Sequence, residues 1–473
     1  MKIIDKLYIN GQWQEPEGKG TQVVINPTTE EPCVQVPLGN ESDVEKAIAA
    51  ARAALPAWSS TTASQRAEFM QAIAEEMQNR YQDLSVALTT TMGSPKSVVG
   101  AYHVDEAIAS LGFYADMAHE METMDEKDDI ILLKEPIGVC AFINPWNYPL
   151  HQMMGKVAPA LAAGCTIITK PAEQTPLQDF IMAEIFDKAG LPAGVFNLVS
   201  GPGRVIGPVM CGHPEVDMVS FTGSTAAGVK VASAAAPTVK RVCQELGGKS
   251  AYIITDDADL QAAVRYGVED VMGNTGQTCN ALTRMFVARS RYQEALDIAV
   301  SVAAEQVVGD PFDENTTMGP MASMQQRDTV LDYISKGVEE GARIITGGLG
   351  MPEGLEKGAY VKPTIFADVS NDMTIAQEEI FGPVLCVIAY DDIEQAIQMA
   401  NDSVYGLSSG VYARDKESAL KIARRMQAGQ CYIQGAYFSI KAPFGGYKQS
   451  GNGREWGEHG MHEYTETKAV VSG

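Results

Sequence analysis

The chain has few features of a nucleic-acid-binding, membrane or secreted protein. Basic residues are scarce: 36 Lys and Arg stand against 60 Asp and Glu, a formal charge of −24. This acidic balance argues against nucleic acid and against an anionic membrane surface as partners. No apolar run approaches the roughly 20 residues of a membrane helix, and the start Met-Lys-Ile-Ile-Asp lacks the apolar core of a signal peptide. We expect a cytoplasmic protein.

The cysteines form no Cys-x-x-Cys pair. Eight are dispersed along the chain, so neither a disulfide framework nor a zinc site is indicated. His459 and His462 are three residues apart, without a nearby Cys or third His, which favours an exposed loop pair. We therefore expect no metal ion.

A further absence concerns glycine. No Gly-x-Gly-x-x-Gly turn opens the first strand-to-helix unit, so the ordinary dinucleotide-binding fingerprint is missing. The run Gly201-Pro-Gly203-Arg-Val-Ile-Gly207 has the wrong spacing. Glycine patterns alone therefore do not predict a cofactor site.

Short apolar runs that alternate with helical segments are the main structural pattern. A chain of 473 residues suffices for two or three domains. Alternation of this kind is typical of a doubly wound parallel sheet, and it occurs twice, which predicts an α/β fold with two such units. The first series is 138–143, 165–170, 195–199 and 218–221; the second is 250–255, 285–288, 383–388 and 407–411.

The helix boundaries carry local signals. Gly164 and Gly190 fall at positions that end helices, and Pro176 behind Thr175 is typical of a first helical residue. Near the start of the chain, residues 6–13 alternate around an Asn-Gly turn, which predicts a small hairpin. The first helix has a capping box formed by Ser42 and Glu45.

A thiol and a carboxylate stand in separate glycine-flanked turns. Cys279 ends Asn274-Thr-Gly-Gln-Thr-Cys279, and Glu245 begins Glu245-Leu-Gly-Gly-Lys249. A thiolate attacks a carbonyl, and a carboxylate can activate the water that hydrolyses the resulting thioester. The alternative is a buried cysteine and a glutamate at a strand end. A third motif, Asn144-Pro-Trp-Asn147-Tyr-Pro149, places an amide that can donate to an oxyanion.

These motifs and four others give the chain a close resemblance to the NAD(P)-dependent aldehyde dehydrogenase superfamily. The resemblance covers nearly the whole length and comprises seven motifs in one order. The four others are Lys170-Pro-Ala-Glu173, Phe221-Thr-Gly-Ser-Thr225 running on to Gly228, Glu379-Ile-Phe-Gly-Pro383 and Pro443-Phe-Gly-Gly-Tyr-Lys448.

The resemblance implies a domain organisation. Residues 1–118 and 137–247 are expected to form a Rossmann-like NAD-binding domain, and 248–447 a catalytic domain. Residues 119–136 and 448–473 are expected to form a small β oligomerisation arm and C-terminal tail. The acidic stretch 121–133 has the alternative interpretation of a solvated linker ending in an edge strand. A homodimer or homotetramer is implied.

The resemblance also implies the catalytic roles. Cys279 corresponds to the nucleophile, Glu245 to the deacylating base, and Asn147 with the backbone N–H of Cys279 to the oxyanion donors. Lys156 and Glu455 are supporting residues that relay a proton, with a solvated surface role as the alternative. Because Glu245 is present, hydrolysis to the free acid is expected. A catalytically silent relative, or one that transfers the acyl group to coenzyme A or phosphate, stays as the alternative.

NAD is the implied cofactor, with NADP possible. Glu173 would accept the ribose hydroxyls and repel a 2′-phosphate, while Lys170 would offset part of that repulsion. Ser224 and the N–H groups of a helix N-terminus can bind phosphate oxygen. The full implied set is Ile143, Trp146, Lys170, Glu173, Gly223, Ser224, Gly228, Leu246, Glu379 and Phe381.

The substrate is implied to be a small-molecule aldehyde between aromatic walls. Tyr148, Phe438 and Phe444 are the expected lining residues. Gly155 stands where many relatives carry a bulky aromatic, which predicts a wider or more polar tunnel. Asp105 and Glu106 would then lie at its mouth and attract a cationic group, as in an ω-aminoaldehyde; the alternative is that both solvate a helix face.

Overall fold

The computed structural model of the chain describes residues 1–122 and 124–472. Thr123 and Gly473, which fall in the expected arm and tail, lie outside the described residues. Strands occupy β1 (Lys2–Ile3), β2 (Leu7–Ile9), β3 (Gln12–Gln14), β4 (Gly20–Ile25), β5 (Pro32–Leu38), β6 (Asp125–Lys127), β7 (Ile130–Pro136), β8 (Val139–Ile143), β9 (Thr166–Lys170), β10 (Phe196–Leu198), β11 (Met218–Thr222), β12 (Arg241–Glu245), β13 (Ala251–Ile254), β14 (Arg284–Ala288), β15 (Arg343–Thr346), β16 (Thr364–Ala367), β17 (Val384–Tyr390), β18 (Ser408–Tyr412), β19 (Gln430–Ile433), β20 (Gly451–Asn452) and β21 (Thr465–Val471).

Helices separate most of these strands. They are α1 (Glu41–Ser59), α2 (Ala63–Asn79), α3 (Tyr81–Met92), α4 (Lys96–Val99), α5 (Asp105–Met117), α6 (Pro149–Ala163), α7 (Leu177–Lys188), α8 (Gly203–Gly212), α9 (Thr225–Ala235), α10 (Leu260–Met272), α11 (Tyr292–Ala303), α12 (Met324–Glu339), α13 (Thr374–Gln377), α14 (Ile393–Asn401), α15 (Lys416–Ala423) and α16 (Gly457–His462). A π-helical turn, Gly100–Val104, precedes α5, and a 3₁₀ turn, Gly273–Gly276, follows α10.

The first large sheet has the strand order β20-β12-β11-β8-β9-β10-β2-β3. Its five central strands run parallel, while β2, β3 and β20 are antiparallel additions at the two ends. The residues of β9 are buried throughout, as expected for a strand covered by helices on both faces. The chain order reverses on either side of β8, and such a switch point is where doubly wound sheets bind ligands.

The second large sheet has the order β15-β16-β17-β14-β13-β18-β19 and is parallel except for β15. Its inner strands are apolar on both faces, and they separate two hydrophobic clusters, one with Ile253 and Phe286 and the other with Tyr252 and Met285. The predicted fold class, two doubly wound α/β units, is confirmed.

Two small sheets complete the architecture. One contains β1, β5 and β4, and the other has the order β21-β7-β6. In the second, β21 pairs antiparallel with β7 from Thr465 opposite Pro136 to Val471 opposite Ile130. Since β20 belongs to the first large sheet, only the last part of the predicted tail joins the arm. The exact division into domains stays a prediction.

Three local predictions were wrong. The capping box of α1 is formed by Asn40 and Asp43, not by Ser42 and Glu45, because Asp43 also accepts N–H groups of Glu17 and Gly18 and so anchors the earlier start. Pro176 caps α7 instead of opening it. The pair His459 and His462 lies on α16, not in a loop. The hairpin around Asn10-Gly11 and the left-handed Gly164 are confirmed.

None of the helices in the described parts of the chain combines the length and apolar character needed to cross a bilayer. The cytoplasmic location stays a prediction.

Arg284 is a buried cation that joins β14 to the end of α14. Its guanidinium donates to the backbone oxygens of Lys249, Met399 and Ala400 and to the amide oxygen of Asn371, at 2.9 to 3.1 Å. Burial lowers its pKa to about 10. Arg284 therefore donates to three backbone carbonyl groups at once, of which Met399 also accepts from Asn371 Nδ2 and from the Asp402 N–H.

Replacing Arg284 with Met should lower the free energy of unfolding by at least about 3 kcal/mol, because four oxygen acceptors each lose a hydrogen bond from the guanidinium. Urea denaturation followed by circular dichroism measures the change. As a control, Arg289→Met removes an exposed ion pair with Asp391, which should cost less than about 1 kcal/mol. Equal losses in the two variants would contradict this account of Arg284.

Candidate active site

The predicted site residues of the first large sheet converge at one edge. Strands β8, β9, β11 and β12 are parallel neighbours, so their carboxyl ends lie side by side. These ends carry Ile143, Lys170, Gly223 and Glu245. The turn 144–149 leaves β8 at the same edge and leads into α6.

The loop that carries Cys279 begins with three residues in the left-handed region. Asn274, Thr275 and Gly276 have φ values of 51°, 57° and 71°, and a β-branched residue such as Thr275 rarely adopts this conformation. The Thr275 hydroxyl donates to the Gly319 carbonyl oxygen at 3.1 Å. A Cβ at Gly276 would lie 2.1 Å from the Gly382 carbonyl group. Tertiary contacts thus hold the strained turn.

Asn147 joins this loop to the first sheet. Its Nδ2 donates to the Gln277 carbonyl oxygen at 2.9 Å, and Asn274 Nδ2 donates to the Asn147 carbonyl oxygen at 3.0 Å. An amide nitrogen has two N–H groups. One is used for Gln277, which leaves the second for a ligand.

Cys279 is half-buried in a cavity. The loops that lead into strands β13, β14 and β17 of the second sheet enclose it. Burial raises the pKa of the Cys279 thiol, and the negative charges of Glu379 and Glu245 raise it further. The thiol therefore needs a base or a nearby positive charge to become a nucleophilic thiolate. The cavity is lined by Gly248, Lys249, Gly276, Thr278, Cys279, Ala281, Thr283, Glu379, Ile380 and Phe381.

Glu245 is buried at the end of β12. Neither of its carboxylate oxygens has a hydrogen-bond partner among the described residues, and Oε1 is 2.9 Å from the position of a Cβ on Gly445. Burial raises the pKa of Glu245 well above its ordinary value; the Glu455 charge adds to this, and Lys156 opposes it. A carboxyl group of this kind is a stronger base than an exposed one.

Lys156 and Glu455 form a buried ion pair. Lys156 Nζ lies 2.9 Å from Glu455 Oε1, both side chains are almost completely buried, and Nζ also donates to the Thr222 hydroxyl at 2.7 Å. The Ser220 hydroxyl donates to the same carboxylate oxygen at 3.2 Å. The alternative of a solvated surface role was wrong, because Lys156, in the middle of α6, and Glu455, just after β20, are buried against each other and against β11.

The start of α9 has the geometry of an anion site. The Ser224 hydroxyl caps the helix by accepting from Ala227 N–H at 3.3 Å, and it can still donate. A Cβ at Gly223 would lie 2.6 Å from the Phe221 ring, and one at Gly228 would lie 2.7 Å from the Leu246 side chain. Both glycines therefore leave room for these side chains to pack closely.

Lys170 and Glu173 lie beside the N-terminus of a second helix, α8. The Gly203 N–H donates to Glu173 Oε1 at 2.8 Å, and a Cβ at Gly203 would lie 3.4 Å from the Lys170 side chain. Burial lowers the pKa of Lys170, whose Nζ donates to the Pro171 carbonyl oxygen. The run around Gly201 and Gly203, whose spacing does not match a dinucleotide fingerprint, thus lies beside two predicted cofactor residues.

Glu379 and Phe381 precede strand β17 of the second sheet and contact residues at the carboxyl ends of the strands of the first sheet. Glu379 Oε1 accepts from Gly248 N–H at 2.9 Å, and burial raises the pKa of this carboxyl to about 7. The Phe381 ring packs edge-on against Trp146 at 5.2 Å. The two rings therefore form a contact between the two large sheets, next to Glu379.

Of the predicted aromatic residues Tyr148, Phe438 and Phe444, Tyr148 is linked to the loop of the thiol. Tyr148 shares a 2.8 Å hydrogen bond with the hydroxyl of Thr278, the neighbour of Cys279. The ring centroids of Phe438 and Phe444 are 5.9 Å apart. Tyr148 therefore contacts the loop of Cys279, and Phe438 and Phe444 contact each other.

The predicted widening at Gly155 was wrong. A Cβ at Gly155 would lie 2.5 Å from the indole ring of Trp456, so Trp456 occupies the space that an aromatic at position 155 would take. Asp105 and Glu106 face different neighbours: Asp105 accepts from the Tyr81 hydroxyl at 2.9 Å, whereas Glu106 lies 3.2 Å from His151. The two carboxylates therefore do not form a joint binding site for a cationic group.

Comparison with known proteins identifies the family. Residues 13–470 match the model of the aldehyde dehydrogenase family. The chain belongs to the aldehyde dehydrogenase family. It is 48% identical over 474 residues to a 3-succinoylsemialdehyde-pyridine dehydrogenase from a Pseudomonas species, covering 100% of this chain and 99% of the relative.

Two solved structures are similar to this aldehyde dehydrogenase along the whole chain. An aldehyde dehydrogenase C variant from Pseudomonas syringae, complexed with NAD+ and octanal, is 47% identical with a TM-score of 0.97, over 99% of this chain and 96% of that one. A Mycobacterium tuberculosis aldehyde dehydrogenase complexed with NAD+ is 41% identical with a TM-score of 0.97, over 100% and 99%. The predicted family, enzyme class and oxidation of an aldehyde are confirmed, and nothing favours the silent or acyl-transferring alternative.

Several residues of this aldehyde dehydrogenase site were missed in the sequence. Trp456 directly follows Glu455 in the chain, but only the folded structure shows that it lies over Gly155. His103 stacks on Tyr148 at 4.9 Å, and His151 stacks on Trp456 at 4.5 Å. His151 lies in the first turn of α6, whereas Asn147 lies in the turn before that helix, so their nearness in the chain was the only signal.

Proposed function

We propose that the chain oxidises an aldehyde to the carboxylic acid through a thioester on Cys279, with hydrolysis assisted by Glu245. The observation that carries the proposal is the unpaired, buried carboxyl of Glu245, which interacts electrostatically with the Cys279 thiol. Burying a carboxylate without hydrogen-bond partners costs folding free energy, and such carboxylates are found chiefly at functional sites.

The residues around the cavity fit NAD as the cofactor. Ser224 and the free N–H groups at the start of α9 suit a diphosphate, and the Glu173 carboxylate suits a ribose diol. Glu379 and Phe381 reach the cavity of Cys279 itself, which suits the nicotinamide end. The hydride acceptor is supplied by NAD when it is bound.

Cys279 reacts as the thiolate, its proton passing to solvent water, and the sulfur adds to the aldehyde carbon. The free N–H of Asn147 and the backbone N–H of Cys279 donate to the negative oxygen of the thiohemiacetal. One such donor is worth about 3 kcal/mol in the transition state. Loss of hydride from this carbon leaves the thioester on Cys279.

Glu245 then accepts a proton from water, which attacks the thioester carbon and releases the acid. The proton leaves past Glu455 and Lys156, whose buried ion pair adjoins Glu245. Because Lys156 lowers the pKa of Glu245 while Glu455 raises it, this pair adjusts the basicity of Glu245.

The division of roles is tested with two variants. Cys279→Ala should form no NADH, whereas Glu245→Gln should form one NADH per site in a burst and then turn over about a hundredfold or more slowly, since it lacks its general base. Stopped-flow absorbance measures the burst, and mass spectrometry detects the acylated protein.

The controls for this experiment are Cys33→Ala, which changes another half-buried cysteine, and Glu305→Gln, which changes an exposed carboxylate. Both should retain wild-type rates. Normal release of free acid by Glu245→Gln would show that a different group activates the water.

Cofactor preference is tested at Glu173. NAD should give the higher kcat/KM, and Glu173→Gln should improve NADP relative to NAD about fivefold, because about 1 kcal/mol of charge repulsion near water is removed. Steady-state kinetics with both cofactors measures the ratio, and Glu45→Gln is the exposed control. A wild-type preference for NADP would contradict this, because attraction of the 2′-phosphate by Lys170 would then outweigh its repulsion by Glu173.

We further propose a homodimer or homotetramer. In the described residues, β21 pairs with β7 along one side only, and its exposed face includes Val470 and Val471. Such an edge strand is an aggregation hazard unless a partner covers it.

Light scattering should therefore report a dimer or tetramer at micromolar concentration. Val470→Lys should shift the population toward smaller species, because it places a charge on the edge strand. The control Val338→Lys alters a similarly exposed valine on α12 and should leave the mass unchanged. A monomeric wild type would contradict the proposal.

A further inference from the structure

Asp179 is a buried carboxyl group that the reaction described above does not use. It lies in the first turn of α7 and is completely buried. Its Oδ2 accepts from Gln178 Nε2 at 2.5 Å, and its Oδ1 accepts from Asn144 Nδ2 at 3.3 Å. Burying a carboxylate costs folding free energy even with such partners, and groups of this kind are found chiefly at functional sites.

Asn144 connects Asp179 to the turn 144–149. The Asn144 backbone N–H donates to the Lys170 carbonyl oxygen at 3.1 Å, and its Nδ2 donates to the Thr169 hydroxyl at 2.9 Å as well as to Asp179. Asn144 is the first residue after β8, while Thr169 and Lys170 end β9. One side chain therefore joins the ends of two neighbouring strands to the start of α7.

The start of α7 contacts the same turn at a second point. The Thr175 hydroxyl donates to the Trp146 carbonyl oxygen at 3.4 Å. Gln178 Nε2 donates to the Thr175 carbonyl oxygen at 2.5 Å as well as to Asp179. Gln178 thus links the group that holds Trp146 to the carboxylate that holds Asn144.

The opposite side of the turn contacts the loop of Cys279. There Asn147 donates to the Gln277 carbonyl oxygen and accepts from Asn274 Nδ2. The turn therefore lies between α7 and the loop of the nucleophile, and contacts on both sides restrict its position. A displacement of about 1 Å at a catalytic group can lower a rate about a hundredfold.

The hydrogen bonds of Asp179 require its ionised form. Burial raises the pKa of Asp179 to about 7, while hydrogen bonds from Asn144 and Gln178 and the charge of Lys170 lower it. When the carboxyl is protonated, one of its oxygens becomes a donor and faces an amide N–H. The contacts with the turn therefore strengthen as the pH rises through about 7.

We propose that Asp179 is a positioning residue for the oxyanion donor: through Asn144 it holds the turn 144–149 so that Asn147 faces the thiohemiacetal oxygen. The proposal rests on the function proposed above, because it assumes that this oxygen forms at Cys279. Asp179 acts through Asn144, since its own side chain is completely buried.

The first test replaces the carboxylate with an amide of equal size. Asp179→Asn has one acceptor oxygen and one donor nitrogen, so an N–H of either Asn144 or Gln178 faces a donor. Octanal, benzaldehyde and propanal are assayed at pH 8 and saturating NAD, so that changes in cofactor binding have no effect. The value of kcat/KM for the best of them should fall about tenfold, the effect of one hydrogen bond to a charged group.

The matched control is Asp187→Asn at the other end of α7. Asp187 is an exposed carboxylate that accepts from the Tyr8 hydroxyl at 3.1 Å. This variant should keep the wild-type kcat/KM. An equal fall in both variants would overturn the proposal, because the loss would then reflect α7 as a whole.

The second test asks whether Asp179 acts through Asn147. Asn147→Ala removes the oxyanion donor and should lower kcat/KM about a hundredfold or more. In that background Asp179→Asn should cause no further loss, because the group that it positions is absent. Losses that multiply in the double variant would indicate a general structural role and would overturn the proposal.

Trp146 fluorescence follows the turn without turnover. The emission of each protein minus that of its Trp146→Phe form isolates Trp146 from the other three tryptophans. This emission should change with a midpoint near pH 7 in the wild type and in Asp187→Asn, and should be constant in Asp179→Asn. Glu379 also has a pKa of about 7 and precedes Phe381, which packs on Trp146. A transition that persists in Asp179→Asn would belong to Glu379 and would overturn the proposal.

Asn144→Ala is the alternative variant if circular dichroism shows that Asp179→Asn does not fold. It removes the Nδ2 donor and leaves the carboxylate, and it too should cause no further loss in the Asn147→Ala background. Multiplying losses in an active enzyme would overturn this proposal alone. Absence of NADH from all three aldehydes in the wild type would overturn the proposed function and this proposal together.

Discussion

The left-handed turn Asn274–Gly276 is the constraint on which the site depends. Asn274 and Thr275, the two residues of the turn other than glycine, each cost about 1 to 3 kcal/mol in this region, and the turn persists because both large sheets contact it. From the side of the first sheet, Asn147 donates to the Gln277 carbonyl oxygen and accepts from Asn274 Nδ2. Gly382 approaches Gly276 so closely from the other side that no side chain fits. Cys279 is thus positioned where the two sheets meet, and neither sheet alone could hold it there.

Burial sets the chemistry of this meeting point. Glu245, Glu379 and Cys279 all have pKa values raised chiefly by removal from water. Lys156 lies against Glu455 and supplies a compensating positive charge near Glu245. Removing one member of a buried pair of this kind is far more costly than removing an exposed pair. The same groups therefore stabilise the folded state and adjust proton transfer.

The features that were predicted correctly from the sequence are those that a short segment determines by itself. Alternating apolar runs identified both sheets, and compact motifs identified the turn around Asn147 and the loop of Cys279. The capping residue of α1 was misassigned because Asp43 has partners in residues 17–18, far from the helix. The burial of Lys156 could not be predicted either, since it arises from strands β11 and β20 and the chain beyond them. Trp456 over Gly155 joins two segments about 300 residues apart, and no local pattern records such a contact.

The contact between Gly155 and Trp456 changes how this position is compared among relatives. A small residue such as Gly155 on α6 does not imply a larger cavity, because the side chain of Trp456, distant in the chain, fills the space beside it. The two positions behave as a single steric unit, in which an increase at one requires a decrease at the other. Trp456 also has a positive φ of 63°, so its backbone must be held in a conformation that few residues adopt. Replacing Gly155 with a larger residue while Trp456 stays in place would therefore strain the contact between α6 and the chain after β20.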